Sequence, residues 1–159
     1  GEFSEGLAAA QQDDLFGYLG PNMDFVIPPQ FTIAGEFHGG LAPVAVDALT
    51  GYCDRKGTLV IEPKYARGGA FAEELAPVVV GNRTGFIDPR GRMVIEPSFD
   101  TALPFSEGLA AVRVAHRWGY IDRSGRRVIE PIYEGAQPFS GGLACVRRFA
   151  DPKPDFGLA

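Results

Sequence analysis

Three acidic residues, Glu62, Glu96 and Glu130, stand 34 residues apart, each directly before a proline. Carboxylates that recur in this way can line up to hold cations or a basic partner. They can also cap turns or pair with neighbouring Lys and Arg, and that is the role expected of them. Hydrolysis by paired carboxyls needs two unlike environments, whereas a repeated column supplies like ones. A second column, Asp54, Asp88 and Asp122, opens Asp-x-x-Gly segments. No DxDxDG loop with a bidentate Glu accompanies it, so calcium is not expected and a turn is. A third column, Tyr18, Tyr52, Phe86 and Tyr120, can act as stacking platforms for sugars or quaternary amines. Packing between units is the expected role, because aromatic residues at a fixed repeat position are what join neighbours.

The remaining reactive residues form no constellation. His38 and His116 fall in different columns, without a Ser, Cys or Asp at nucleophilic spacing. Cys53 replaces Leu19, Ile87 and Ile121, and Cys145 replaces Ala9, Pro43, Pro77 and Ala111. Both are expected to be small core residues, and neither lies in a CxxC or near a His at zinc spacing. The basic residues Arg113, Arg117, Arg123, Arg126, Arg127, Arg147 and Arg148 gather in the C-terminal half. They read as a solvated face, or as a patch that docks an acidic surface or a polyanion. No catalytic, metal-binding or cofactor-binding residue is assigned, and none is assigned to ligand binding.

The chain that must position these groups has 159 residues, of which 21 are Gly and 13 Pro, an excess that implies many turns. Its 45% hydrophobic content and 12 Phe supply more apolar surface than disorder tolerates. A formal charge of -5 gives no general attraction for nucleic acid or anionic membrane. No apolar run reaches the length of a membrane helix, and no basic segment with an apolar signal core opens the sequence.

One offset aligns nearly everything. Phe3, Phe37, Phe71, Phe105 and Phe139 stand 34 residues apart, as do Leu7, Leu41, Leu75, Leu109 and Leu143. Gly17, Gly51, Gly85 and Gly119 follow the same step, as do Pro29, Pro63, Pro97 and Pro131. The copies run over about 3–36, 37–70, 71–104 and 105–138, with a partial copy at 139–159, all within a single domain spanning 1–159. A period of 34 also suits helical repeats, but the recurring Pro and Gly leave no unbroken helical pattern.

Short β-branched and aromatic runs between turn signals predict strands. In the third copy Leu75–Val80 is the predicted first strand, Gly81–Thr84 a turn and Gly85–Asp88 the second strand. Asp88-Pro89-Arg90-Gly91 is a tight reversal: Asp accepts backbone N–H bonds, and Gly takes the left-handed position. Met93–Glu96 is the third strand, expected to end at Pro97, which has no N–H to continue a ladder. A loop of about ten residues follows. Gly20-Pro21-Asn22-Met23 replaces the Asp-x-x-Gly reversal in the first copy, as expected of an end unit. Three short strands bury little, so stability is expected to come from stacking copy on copy.

The phrases Phe105-Ser106-Glu107-Gly108-Leu109-Ala110, Trp118-Gly119-Tyr120-Ile121-Asp122 and Val128-Ile129-Glu130-Pro131 resemble the bacterial WG repeat family. Only the fourth copy has Trp; Phe16, Thr50, Thr84 and Phe156 occupy the matching column. The resemblance covers residues 3 to about 159 and implies a β-repeat array with no shared catalytic activity. The expected fold is thus all-β: tandem three-stranded antiparallel meanders in an open, solenoid-like array, with propeller-like closure as the alternative. The expected function is a non-catalytic protein-interaction or scaffolding module, not an enzyme. Binding of carbohydrate or cell wall through aromatics between units is the alternative. Self-association through exposed sheet edges is a further expectation.

Overall fold

Two-residue reversals set the register of every copy. Asp13-Asp14, Asp47-Ala48 and Ala115-His116 all have positive φ, the type I′ pattern whose twist matches paired strands. In the third copy Gly81 has positive φ and Asn82 does not, which is the type II′ pattern. The predicted four-residue turn therefore shortens to two residues, and Arg83 and Thr84 join the second strand.

These reversals connect the first strands, Ala8–Gln12, Leu41–Val46, Ala76–Val80 and Leu109–Val114, to the second strands. The second strands are Leu15–Leu19, Leu49–Asp54, Arg83–Ile87 and Arg117–Asp122. The computed structural model describes residues 2–150 and is all-β throughout them. The continuation of the fifth copy through Phe156 and Gly157 lies outside the described residues.

Each second strand leads to the third through the Asp turn. Asp88 Oδ1 accepts N–H bonds from Arg90 (3.0 Å) and Arg92 (2.9 Å), and Gly91 takes φ +82. Asp54 holds Lys56 and Thr58 in the same way, and Asp122 holds Ser124 and Arg126. The first copy keeps this turn with Gly20 in place of Asp and Met23 in place of Gly: Met23 takes φ 64 and donates its N–H to the Gly20 carbonyl at 2.9 Å.

The third strands, Phe25–Phe31, Leu59–Tyr65, Met93–Phe99 and Arg127–Tyr133, do not stop at proline as expected. Thr84 pairs with Phe99 and Phe86 with Ile95, so a bulge around Pro97 takes up the missing N–H and the strand resumes. Third strands lie at sheet edges, where proline is tolerated.

The predicted loop also differs. It contains a two-residue strand, Ile33–Ala34, Arg67–Gly68, Thr101–Ala102 or Gly135–Ala136, that pairs with the first strand of the following copy. Thr101 faces Arg113 and Ala102 faces Val112. Sheets of the order short, first, second, third strand therefore straddle two copies. Among the described residues of the partial fifth copy, Val146–Arg147 is the first strand.

Cores form between copies. Leu7, Tyr18, Ile27 and Phe31 of the first copy meet Phe37, Ala42, Val44 and Cys53 of the second. The same columns meet at the next two junctions, with Tyr52 and Ile61 packed into one core and Phe86 and Ile95 into the other. One face of each sheet thus carries large residues, and the opposite face of the next receives them. Among the described residues each of these cores joins neighbours in sequence, none joins the first copy to the fourth, and the sheets do not close into a barrel. The copies form an open array.

Candidate interaction surface

The residues singled out for chemistry are dispersed. Glu62, Glu96 and Glu130 are exposed on the edge strands; Glu130 lies 3.6 Å from Arg127, and the other two have no ion-pair partner among the described residues. Asp54, Asp88 and Asp122 are held by turn N–H groups. Burial works to raise the Asp88 carboxyl, but N–H bonds from Arg92 and Arg90 outweigh it and hold the group below its ordinary value. The Ser124 hydroxyl and the Arg126 N–H lower that of Asp122. His38 is exposed, 3.6 Å from Glu36, and His116 is an exposed residue of a hairpin turn. No three His, Cys, Asp or Glu side chains gather at metal-binding spacing among the described residues.

The two cysteines diverge. Cys53 is fully buried, and burial with the nearby Asp54 charge pushes its thiol up to about 12, so it is inert packing. Cys145 is exposed, contrary to expectation. Its counterparts Pro77 and Ala111 are buried because a full second strand lies beside them, and the fifth copy has only a short first strand in the described residues.

The seven arginines form no single patch. Leu109 pairs with Asp122 and Val114 with Arg117, so the hairpin puts Arg113 and Arg117 at one end of the sheet and Arg123 and Arg126 at the other, about 16 Å away at the rise of a strand. Arg147 repeats the column of Arg113 and pairs with Glu134 at 3.3 Å. Arg148 follows it and is exposed. Arg117 lies over the Phe149 ring, and the half-buried Arg113 has a buried Nε without a hydrogen-bond partner among the described residues.

The aromatic column is core. Tyr18, Tyr52, Phe86 and Tyr120 meet Phe37, Phe71, Phe105 and Phe139 edge-on, with centroids 4.8, 5.0, 4.9 and 4.9 Å apart. The three tyrosine hydroxyls donate to the carbonyls of Gly35, Gly69 and Gln137, each at 2.7 Å. Burial raises all three hydroxyls above the ordinary value of 10.0, with the Cys53 charge adding at Tyr18 and the Tyr65 charge at Tyr52. A buried phenol raised in this way contributes stability that is complete below pH 10 and is lost as pH climbs above it. Tyrosinate absorbance and far-ultraviolet circular dichroism are therefore expected to change together in alkali. Ionisation of these tyrosines with the sheet signal intact would contradict this.

A connection absent from the sequence reading runs along the Ser-Glu-Gly phrase. Residues 5–6, 39–40, 73–74, 107–108 and 141–142 all have positive φ, making a second set of I′ reversals. Gly40 N–H donates to Glu5 (2.9 Å), Gly108 to Glu73 (3.0 Å) and Gly142 to Glu107 (2.9 Å). Ser4 and Ser106 donate to the Phe37 and Phe139 carbonyls. Each bond links a copy to the next. The second copy has His38 and Gly39 in these columns, so its junction with the third has neither. A cavity of about 200 Å³ lies there, lined by Gly39, Phe71, Glu73, Glu74 and Pro89.

The glycine of Trp118-Gly119 and its counterparts have a tight packing role. A Cβ on Gly85 would stand 2.5 Å from the Ile95 carbonyl oxygen and 2.8 Å from Pro97 N, because the bulged third strand crosses over it. Gly17, Gly51 and Gly119 meet the same obstruction. The family model for the WG containing repeat matches residues 16–49, 51–83, 85–115 and 118–148, most of the chain, in segments that start at or beside this column. The chain belongs to the WG containing repeat family. No curated protein matches the sequence. In this WG repeat array the glycine is fixed by backbone contact, while Phe16, Thr50, Thr84 and Trp118 interchange beside it. Trp118 is half-buried in a groove of about 360 Å³ with Glu134, Gln137, Cys145 and Arg147.

Proposed function

We propose that this WG repeat array is a non-catalytic protein-interaction or scaffolding module. The observation that carries the reading is the division of labour between columns. Most recurring residues are used in cores, turns and copy-to-copy hydrogen bonds, and several outward positions vary from copy to copy, the exposed Val and Glu columns of the third strands excepted. The exposed hairpin turns read Asp13-Asp14, Asp47-Ala48, Gly81-Asn82 and Ala115-His116, and the last outward residue of the third strands is Gln30, Lys64, Ser98 and Ile132 in successive copies. A rigid frame with variable outward groups suits docking. It does not suit catalysis, which needs a nucleophile or base held beside a stabilising group.

Proline and a bulge blunt the third-strand edges, so any self-association through sheet edges is expected elsewhere. The carbohydrate reading keeps one foothold. The aromatics between copies are buried and offer sugars no face, but the Trp118 groove combines an aromatic ring with Glu134, Gln137 and Arg147. Crosslinking capture from native lysate, run beside a pull-down on insoluble polysaccharide, separates the readings. A discrete protein partner with no polysaccharide retention is expected. Retention on polysaccharide that Trp118→Ala abolishes, with no protein captured, would overturn the proposal.

A further inference from the structure

The Asp turns carry cations in every inner copy: Arg55 and Lys56, Arg90 and Arg92, Arg123 and Arg126. The fold brings these turns to one side of the array. Each second strand enters its turn at the same end of its sheet. Each turn glycine then seats on the third strand of the copy before it, Gly57 on Ile27, Gly91 on Ile61 and Gly125 on Ile95. The six cations therefore form a row across three successive copies in a chain whose net charge is -5.

Carboxylates share this side, but most are engaged by backbone N–H donors, Glu74 being an exposed exception. Asp54, Asp88 and Asp122 accept N–H bonds within their own turns, and Glu73 and Glu107 accept them from the next copy. The cationic heads stand outside them: the Arg92 side chain is 69% exposed beside an Asp88 that is 21% exposed. Arg55, Lys56, Arg90 and Arg126 have no carboxylate partner among the described residues. Between the third and fourth copies the row opens into a cavity of about 660 Å³. Arg90, Arg92 and Arg123 line it over an apolar floor of Leu75, Pro89 and Val94.

We propose that this row is the docking site for an extended acidic segment of a partner protein, with an apolar side chain of that segment seated in the cavity. The inference rests on the interaction-module reading and names the partner's chemistry. Arg92 already pairs with Asp88 at 3.2 Å and Arg123 lies 3.9 Å from Glu74. Arg90 in the cavity and Arg55, Lys56 and Arg126 along the row keep exposed cationic heads that suit carboxylates, and the apolar floor suits a side chain between them. Nucleic acid fits less well, because no aromatic ring lines the cavity to stack a base.

The probe is a fluorescein-labelled peptide of alternating Glu and Leu, compared with its Gln–Leu counterpart and with labelled oligodeoxythymidylate. The intact chain is expected to bind the Glu–Leu peptide best, with affinity falling as salt is added. Arg90→Glu with Arg126→Glu is expected to weaken binding by about tenfold or more. Arg117→Glu with Arg147→Glu, at the opposite end of the sheets, is expected to leave it unchanged. Circular dichroism verifies that both variants keep the fold. Equal binding of both peptides, preference for the oligonucleotide, or equal loss in the two variants would overturn the proposal. If lysate capture succeeds with the intact chain and is unaffected by Arg90→Glu with Arg126→Glu, the docking row fails while the module reading stands.

Discussion

Replacing Tyr52 with alanine is expected to lower the unfolding free energy by about 4 kcal/mol, a large share of what a domain of this size possesses. The ring is fully buried, meets Phe71 edge-on at 5.0 Å and donates its hydroxyl to the Gly69 carbonyl. Truncation leaves a cavity between the second and third copies and an unsatisfied carbonyl beside it. The second–third junction also lacks the glutamate bond found at both its neighbours, so it leans more on its core and on the pairing of Arg67–Gly68 with the third copy. Tyr52→Phe keeps the ring and is expected to cost only about 1 kcal/mol, because Phe86 already does without the hydroxyl one copy later. Urea unfolding of the two variants measures both. Equal costs would show that the hydroxyl bond, not the aromatic contact, holds the junction.

Gly85→Ala is expected to cost about 3 kcal/mol or more, although it adds a single methyl group. The obstruction is backbone, the Ile95 carbonyl and Pro97 N, and neither can rotate away as a side chain can. Gly108→Ala is the informative contrast. Gly108 has φ +79 and open space around its Cα, so alanine there meets only the left-handed strain of about 1 kcal/mol. Glu74 shows that its column tolerates a side chain, at φ 64. Comparable losses from the two substitutions, read by the same urea titration, would contradict the steric account of the Trp-Gly column.

The period of 34, the strand content and the Asp turn were legible in the sequence because each depends on local chemistry repeated at fixed spacing. Asp88, Gly91 and the aromatic column needed no knowledge of distant residues. Pro97 was misread because its missing N–H was weighed without the bulge, for which the glycine opposite makes room. The two-residue strands were hidden because pairs such as Thr101-Ala102 and Arg67-Gly68 have no strand signature of their own; only the following copy makes them strands. The serine and glutamate of Ser106-Glu107 were read as family signature, although Glu5, Glu73 and Glu107 recur at the column whose partner lies 35 residues on. For the surface, the arginines gathered in the C-terminal half read as one solvated face or one docking patch. An antiparallel hairpin sends sequence neighbours to opposite ends, and it aligns Arg55, Arg90 and Arg123 or Arg126, which lie roughly one repeat apart.

The stability of the array resides at the junctions between copies, since the three cores all span them. Urea titration of a peptide containing residues 37–70 alone, followed by far-ultraviolet circular dichroism beside the intact chain, tests that most directly. The intact chain is expected to unfold in one sigmoidal transition and the single copy to show no transition at any urea concentration. A sigmoidal, sheet-losing transition in the isolated copy would mean that each unit holds itself together.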